Sequence, residues 1–271
     1  MKLSVAIASE NALPSAFVVF RGIEKSIRKA AELGYDGVEL ALKNADEINR
    51  HLLHSLLEKT GLQISCISTG QVYAETGLMF TDTDHQKRKE VKKIFVELID
   101  LAAEFGQFVN IGRIRGKIGS NGMHDIAENL FMDTVCELCE NAAAKNVTII
   151  LEPINRYEID FVNSVEEGVK LLEKMNQPNL KLMPDVFHMN IEDVTIGMEL
   201  YKHIEHIAYV HLADSNRLAP GWGHTDFEDI FRHLKSANYD GWLSVEILPK
   251  PEPDVAARQA IDFLKPFLKL N

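Results

Sequence analysis

Short apolar runs alternate with amphipathic segments along the chain. The runs predict eight strands, at residues 2–8, 37–41, 62–68, 108–112, 147–151, 180–184, 207–210 and 242–245. Apolar residues at helical spacing predict helices between them, at about 23–33, 46–59, 84–105, 126–145, from 164, at 193–203, from 225, and at 254–268. This regular alternation predicts an α/β fold, a (β/α)₈ TIM barrel.

Length and composition fit one such domain. A barrel takes roughly 250 residues, and no Pro-, Gly- or Ser-rich linker divides the 271-residue chain, so we predict a single domain over 1–271. The net charge of −11 disfavours nucleic acid and anionic membrane as partners. An odd number of cysteines, three, together with no recognisable signal peptide, predicts a cytoplasmic protein.

Four successive strands, the fifth to the eighth, are each followed by a residue that can bind a metal. These residues are Glu152, Asp185, His211 and Glu246. In a barrel, the carboxyl ends of neighbouring strands meet at one mouth, where enzymes of this architecture hold their active sites. Three carboxylates there would repel one another unless a cation neutralised them. Oxygen ligands with one imidazole suit Mn²⁺, Mg²⁺ or Co²⁺, so the sequence predicts a divalent metal site.

These residues and their neighbours resemble a known family. The matching segments are Glu152-Pro-Ile-Asn-Arg-Tyr-Glu158, Asp185-Val-Phe-His188, His211 with Arg217, and Glu246. They are similar to the xylose-isomerase-like barrel superfamily, and within it to the ketose 3-epimerases of the D-tagatose/D-psicose type. The resemblance implies one Mn²⁺-like ion per chain on the four strand-exit residues. It also implies acid/base roles for Glu152 and Glu246, and substrate binding by Glu158, His188 and Arg217.

The chemistry agrees with that implication. A metal on two substrate oxygens stabilises an enediolate, and two carboxylates on opposite faces of a carbon can remove and return its proton. We therefore predict an isomerase, a metal-dependent ketose 3-epimerase of carbohydrate metabolism. Inosose dehydratase, hydroxypyruvate isomerase and sugar-phosphate isomerase remain alternatives, because sequence does not fix how the substrate is placed.

Three further features bear on the substrate, which is expected to be a small sugar or sugar phosphate. Arg113 and Arg115 could contact a phosphate, since guanidinium groups match phosphate oxygens. Trp222 could stack on the sugar from a flap. Glu39, at the end of the second predicted strand, could support the site or be a rim charge. We also expect a homo-oligomer, a dimer or a tetramer.

Overall fold

The computed structural model describes residues 1–119 and 124–269. The strands are β1 (Lys2–Ala8), β2 (Phe20–Arg21), β3 (Gly37–Ala41), β4 (Gln63–Ser68), β5 (Phe108–Ile111), β6 (Thr148–Leu151), β7 (Leu180–Leu182), β8 (Tyr209–Leu212) and β9 (Trp242–Val245). The α-helices are α1 (Ile23–Leu33), α2 (Arg50–Thr60), α3 (Gly70–Thr76), α4 (His85–Phe105), α5 (His124–Ala143), α6 (Val165–Met175), α7 (Val186–Glu192), α8 (Ile196–Lys202), α9 (Phe227–Ser236) and α10 (Pro253–Lys269). Short 3₁₀ turns span Ala45–Glu47, Arg113–Arg115 and Ile204–His206.

Eight strands form a parallel barrel. Their order is β7-β6-β5-β4-β3-β1-β9-β8, and β2 pairs with β1 off this path. The two ends of the order approach each other through single bridges, Leu182 with Ile207 and Asp185 with His211. The sheet is thus a nearly closed barrel with helices between its strands, and the predicted TIM barrel is confirmed.

The strands are buried on both faces, which explains their continuous apolar runs. All five residues of β3 and all four of β8 are buried. The helices cover the barrel with one apolar face each; in α1 that face includes Ile27 and Ala30, and Gly34 ends the helix in the left-handed conformation. Within residues 1–119 and 124–269, every helix is too short or too polar to cross a membrane.

The barrel interior changes from apolar to polar toward the mouth. A buried cluster on the strands consists of Cys66, Ile150, Met183, Tyr209 and Trp242. The hydroxyl of Tyr209 lies 2.8 Å from Ser65 Oγ and donates to Glu39 Oε2 at 3.0 Å. The hydroxyl of Tyr209 therefore connects this buried cluster to a polar network that includes Ser65 and Glu39.

Two short helices were missed by the sequence analysis. The helix predicted at 193–203 corresponds to α8 (Ile196–Lys202), but α7, which begins directly after Asp185 and ends before Asp193, was not predicted. The side chain of Asp185 caps α7 by accepting a hydrogen bond from the N–H of Phe187 at 2.8 Å. The segment after β4, read as a loop, contains α3. Both helices have seven residues, which is too short for a clear apolar period.

Candidate functional site

Four side chains from successive strands converge at the barrel mouth. Glu152 follows β6, Asp185 follows β7, His211 lies within β8 and Glu246 follows β9. One potential ligand atom from each lies within 4.8 Å of all the others. Asp185 and His211 are fully buried, and Glu152 is 6% exposed. The strand order makes this possible, because these four strands are neighbours across the closure of the barrel.

The imidazole of His211 is aimed at the three carboxylates by Glu39. Its Nε2 lies 2.9 Å from Glu39 Oε2, and a carboxylate can only accept, so Nε2 donates. Its Nδ1 lies 3.6 Å from Glu152, 3.9 Å from Asp185 and 3.7 Å from Glu246. This buried Nδ1 has no hydrogen-bond partner within the described residues. A ring nitrogen that faces three carboxylates, in an imidazole whose other nitrogen is bonded to a fourth carboxylate, fits a site for a divalent cation.

The charges of the cluster are partly balanced by Arg217. Its guanidinium is buried and donates to both Asp185 and Glu246. Burial raises the pKa of Glu246 to about 8, against the opposing effects of Arg217 and His211. Burial also opposes ionisation of Asp185, but the guanidinium of Arg217 holds the pKa of that carboxyl below its ordinary value. The cluster therefore combines an ionised carboxylate with one that is easily protonated.

The position of Arg217 is set by a tightly bonded loop. Arg217 has a φ of 63°, its N–H donates to the carbonyl of Asp214 at 2.8 Å, and its own carbonyl accepts from Leu248 at 2.8 Å. The buried carboxylate of Asp214 accepts from the backbone N–H groups of Ser215, Gly221 and Thr225. The guanidinium lies 4.6 Å from the ring of Phe17 and 4.8 Å from that of Phe187. Arg217 is thus held from its backbone to its tip.

His188 and Glu158 are both connected to Asn155. The amide nitrogen of Asn155 lies 2.7 Å from His188 Nδ1 and 3.2 Å from Glu158 Oε1. The Nε2 atom of His188 lies 3.8 Å from Glu152 and 3.9 Å from Asp185. Burial lowers the pKa of His188 to about 3, so its ring is neutral. The ring therefore stands beside the carboxylate cluster without being ion-paired to it.

A pocket opens above the cluster. It is lined by Glu152, Glu246, Glu158, His188 and Arg217, and also by Ser15, Phe17, Gln71 and Arg113. The guanidinium of Arg113 lies 4.0 Å from Glu158 and 5.8 Å from the ring of Tyr73. The structure therefore brings the predicted acid/base and substrate-binding residues together in one cavity, and Glu152 and Glu246 connect this cavity to the cluster that includes Asp185 and His211.

Two residues proposed for substrate contact lie elsewhere. The expectation that Arg115 contacts a phosphate is wrong, because its side chain is fully buried and donates to the carbonyl groups of Glu152 and Val162. Trp222 packs against the hydrophobic core, and it is absent from the described residues that line the pocket. Arg113 and Arg115 lie in one 3₁₀ turn, which points them in different directions.

Sequence reasoning left three supporting residues unassigned or undecided. Glu39 is a lone charge within the apolar run 37–41, and that pattern could have marked it as an interior carboxylate. Asn155 lies inside the segment that carried the family resemblance, but nothing in its spacing indicates a bond to His188. Asp214, three residues after His211, gave no signal that distinguishes it from a surface charge.

The chain is similar to characterised sugar epimerases. A family model described as xylose isomerase-like TIM barrel matches residues 27–267. An L-ribulose 3-epimerase from Methylomonas sp. (strain DH-1) is 30% identical over 231 residues, covering 83% of this chain and 78% of that protein. A 3-dehydro-D-guloside 4-epimerase from Escherichia coli (strain K12) is 24% identical over 255 residues, covering 90% of this chain and 94% of that protein.

A solved structure gives the same picture of the fold. The D-allulose 3-epimerase from Methylomonas sp., crystallised in complex with D-allulose, superposes with a TM-score of 0.79 at 25% identity. The match covers 98% of each chain. The likeness of fold therefore extends over nearly the whole chain.

Proposed function

The chain belongs to the xylose isomerase-like TIM barrel family and is an enzyme of the isomerase class, and from this premise we propose that it is a divalent-metal-dependent ketose 3-epimerase. The observation that carries the proposal is the shared location of Glu152 and Glu246. Both line one pocket, and both contribute to the same four-residue cluster. Two carboxylates beside one cation site are what proton removal and return at a carbon next to a carbonyl require.

One cation per chain would be held by Glu152, Asp185, His211 and Glu246. The donor set of carboxylate oxygens and one imidazole suits Mn²⁺, and also Mg²⁺ or Co²⁺. When bound, the ion supplies Lewis-acid stabilisation of the negative charge that develops on the substrate oxygens.

Of the two glutamates, one would remove a proton from the substrate and the other would deliver a proton to it. One accepts the C3 proton as the C–H bond breaks and its electron pair moves toward the C2 carbonyl. The other delivers a proton to the opposite face of C3, which inverts that centre, and the total number of protons is unchanged. Glu158, His188 and Arg217, which line the same pocket, would hold the O1–O3 end of the sugar.

The charges of the pocket favour a free ketose over a sugar phosphate. Among the described residues that line the pocket, Arg113 and Arg217 carry the positive charges. Arg217 donates to Asp185 and Glu246, and Arg113 faces Glu158 at 4.0 Å. Both positive charges therefore already have acidic neighbours, and Arg217 is paired with two carboxylates. A phosphate dianion would find no unpaired arginine among the described residues of the pocket.

The position of solvent label tests the proposal. The purified protein is incubated with Mn²⁺ and L-ribulose or D-psicose in D₂O, and the products are analysed by NMR. We expect a ketose product with deuterium at C3 and none at C1. An aldose product labelled at C1 or C2 would indicate an isomerase instead, and loss of water would indicate a dehydratase.

A 4-epimerase is the second candidate, and the coverage of the Escherichia coli relative favours it, at 90% of this chain and 94% of that protein. The same residues would then act on a 3-keto sugar, with the carbonyl and the exchanging carbon each moved by one position. Label at C4 of a 3-keto substrate, without C3 exchange on the free ketoses, would select this alternative.

A further inference from the structure

Asn155 is a buried residue between the catalytic and the substrate-binding parts of the site. It follows Glu152 by three residues and is 2% exposed. It is absent from the described residues that line the pocket, so it can act on a substrate only through its neighbours. Those neighbours are His188 and Glu158, which lie on different elements.

The orientation of the Asn155 amide is fixed by two partners independently of His188. Its Oδ1 lies 3.0 Å from the backbone nitrogen of Tyr157, which can only donate. Its Nδ2 lies 3.2 Å from Glu158 Oε1, which accepts when ionised. Exchanging the amide oxygen and nitrogen would place two donors against each other at Tyr157 and two acceptors at Glu158.

This orientation determines which nitrogen of His188 carries the proton. The same Nδ2 lies 2.7 Å from His188 Nδ1, so Nδ1 must accept and has no hydrogen. A ring with an unprotonated Nδ1 is neutral and carries its proton on Nε2. That N–H group is beyond hydrogen-bond distance of Glu152, at 3.8 Å, and of Asp185, at 3.9 Å. It is therefore available to an oxygen of a ligand in the pocket.

His211 shows the opposite arrangement. Its Nε2 donates to Glu39, and its Nδ1 faces the carboxylate cluster. A nitrogen that bears hydrogen cannot ligate a cation, whereas an unprotonated one can. The two histidines at the mouth are thus distinguished by what holds the far side of each ring: a carboxylate for His211 and an amide N–H for His188.

We propose that Asn155 is a positioning residue that fixes His188 as the Nε2–H tautomer, so that His188 donates a hydrogen bond to a substrate oxygen and does not bind the cation. The proposal deepens the proposed function, because it specifies how one substrate-binding residue of that site operates. It also makes Asn155 the link that orients His188 and Glu158 together.

The tautomer can be measured without any substrate. Protein with ¹⁵N-labelled histidine is studied by long-range ¹H–¹⁵N correlation NMR in the presence of Mg²⁺, and His188→Gln assigns the His188 signals. The expected spectrum has an unprotonated Nδ1 and a protonated Nε2 for His188. A protonated Nδ1 in the wild type would overturn the proposal, whatever ketose the enzyme turns over.

A pair of variants tests the role of Asn155. Asn155→Asp alone would place a second carboxylate beside Glu158, so it is made in a Glu158→Gln background, where the Gln amide can turn and donate to Asp. The double variant then differs from Glu158→Gln mainly at His188, which now faces a group that only accepts. His188 should switch to the Nδ1–H form in the double variant and keep Nε2–H in Glu158→Gln.

Catalysis and metal binding give the second readout. Relative to Glu158→Gln, the double variant should lose roughly 10- to 100-fold in kcat/KM for L-ribulose, the effect of removing one hydrogen bond to the substrate. Its affinity for Mg²⁺ should stay within a few-fold of the control. An unchanged His188 tautomer in a folded double variant would refute the role of Asn155. A wild type that epimerises no ketose would refute the proposed function and leave the tautomer assignment intact.

Discussion

At the scale of single residues, the chemistry of the site depends on which atom each buried side chain presents. Two histidines lie beside the same carboxylates, and hydrogen bonds to Glu39 and Asn155 decide what each ring can do. Two arginines share one turn, yet Arg113 reaches the pocket and Arg115 is buried against backbone carbonyl groups. Residue type alone would give both histidines the same role and both arginines the same role.

Glu39 should control the affinity of the metal site through His211. Glu39→Gln keeps an acceptor near Nε2 but removes the negative charge that makes the imidazole a stronger ligand. Loss of such an outer partner weakens metal binding by roughly 10- to 100-fold, which isothermal titration with Mn²⁺ would measure. Tyr209→Phe is the control, because it removes the neighbouring bond to Glu39 and keeps the bond to His211. Equal affinities in wild type and Glu39→Gln would contradict this assignment.

Arg217 should serve the substrate and not the metal. It donates to Asp185 and Glu246, so Arg217→Ala removes a positive charge that competes with a cation. Mn²⁺ affinity should therefore be unchanged or higher, while kcat/KM falls on the order of 10²-fold because the substrate is misplaced. The exposed Arg232 of α9 offers a control, Arg232→Ala, with wild-type kinetics. A variant that loses its metal would show that Arg217 has been assigned wrongly.

At the scale of elements, short segments after the strands carry the functional side chains, and polar caps fix those segments. Asp185 caps α7 and also belongs to the four-residue cluster of Glu152, Asp185, His211 and Glu246. Asp214 organises the loop that presents Arg217. The carboxylates of Asp185 and Asp214 therefore bond to backbone N–H groups near the mouth. These bonds explain how the segments can be irregular and still well defined.

Asp193, in the turn between α7 and α8, should make stability depend on pH. Its Oδ1 accepts from the N–H of Val165 at the start of α6, and its Oδ2 has no hydrogen-bond partner in the described part of the chain. Burial raises its pKa to about 7. The folded protein thus keeps a proton that the unfolded chain loses above its ordinary pKa, so this carboxyl lowers stability as pH rises toward 7.

Asp193→Asn removes that dependence and keeps the acceptor for Val165. The variant should melt at a higher temperature than wild type at pH 8, and the difference should be small at pH 4, where the unfolded chain still keeps much of the proton. Thermal unfolding at the two pH values would measure the difference. A variant that is destabilised equally at both values would mean that the ionisation of Asp193 does not influence folding.

At the scale of the whole molecule, a bound cation should connect folding to function. The four residues proposed as ligands lie at the ends of β6, β7, β8 and β9, on both sides of the closure between β7 and β8. A ligand that binds the folded state alone stabilises it by about 2.7 kcal/mol at 100 times its dissociation constant. EDTA should therefore abolish epimerisation and lower the melting temperature, and Mn²⁺ or Co²⁺ should restore both. Full activity of protein shown by elemental analysis to contain no metal would contradict the metal site.

The sequence by itself determined the barrel and the location of the site. Parallel strands buried on both faces leave continuous apolar runs, and the first polar residue after each run must lie at the mouth. The four cluster residues could therefore be predicted from their positions after neighbouring strands. The cysteine content led to the expectation of a cytoplasmic protein; this location and the expected homo-oligomer both stay predictions.

Tertiary structure alone decided the direction in which each side chain points and the partner that it meets. Glu39 and His211 are 172 residues apart in the chain, and Asn155 and His188 are 33 apart. Such contacts arise from strand register and closure, and local periodicity contains no information about them. The same reason applies to Arg115 and Trp222, because a side chain near the mouth can turn into the pocket or into the core, and packing makes that choice.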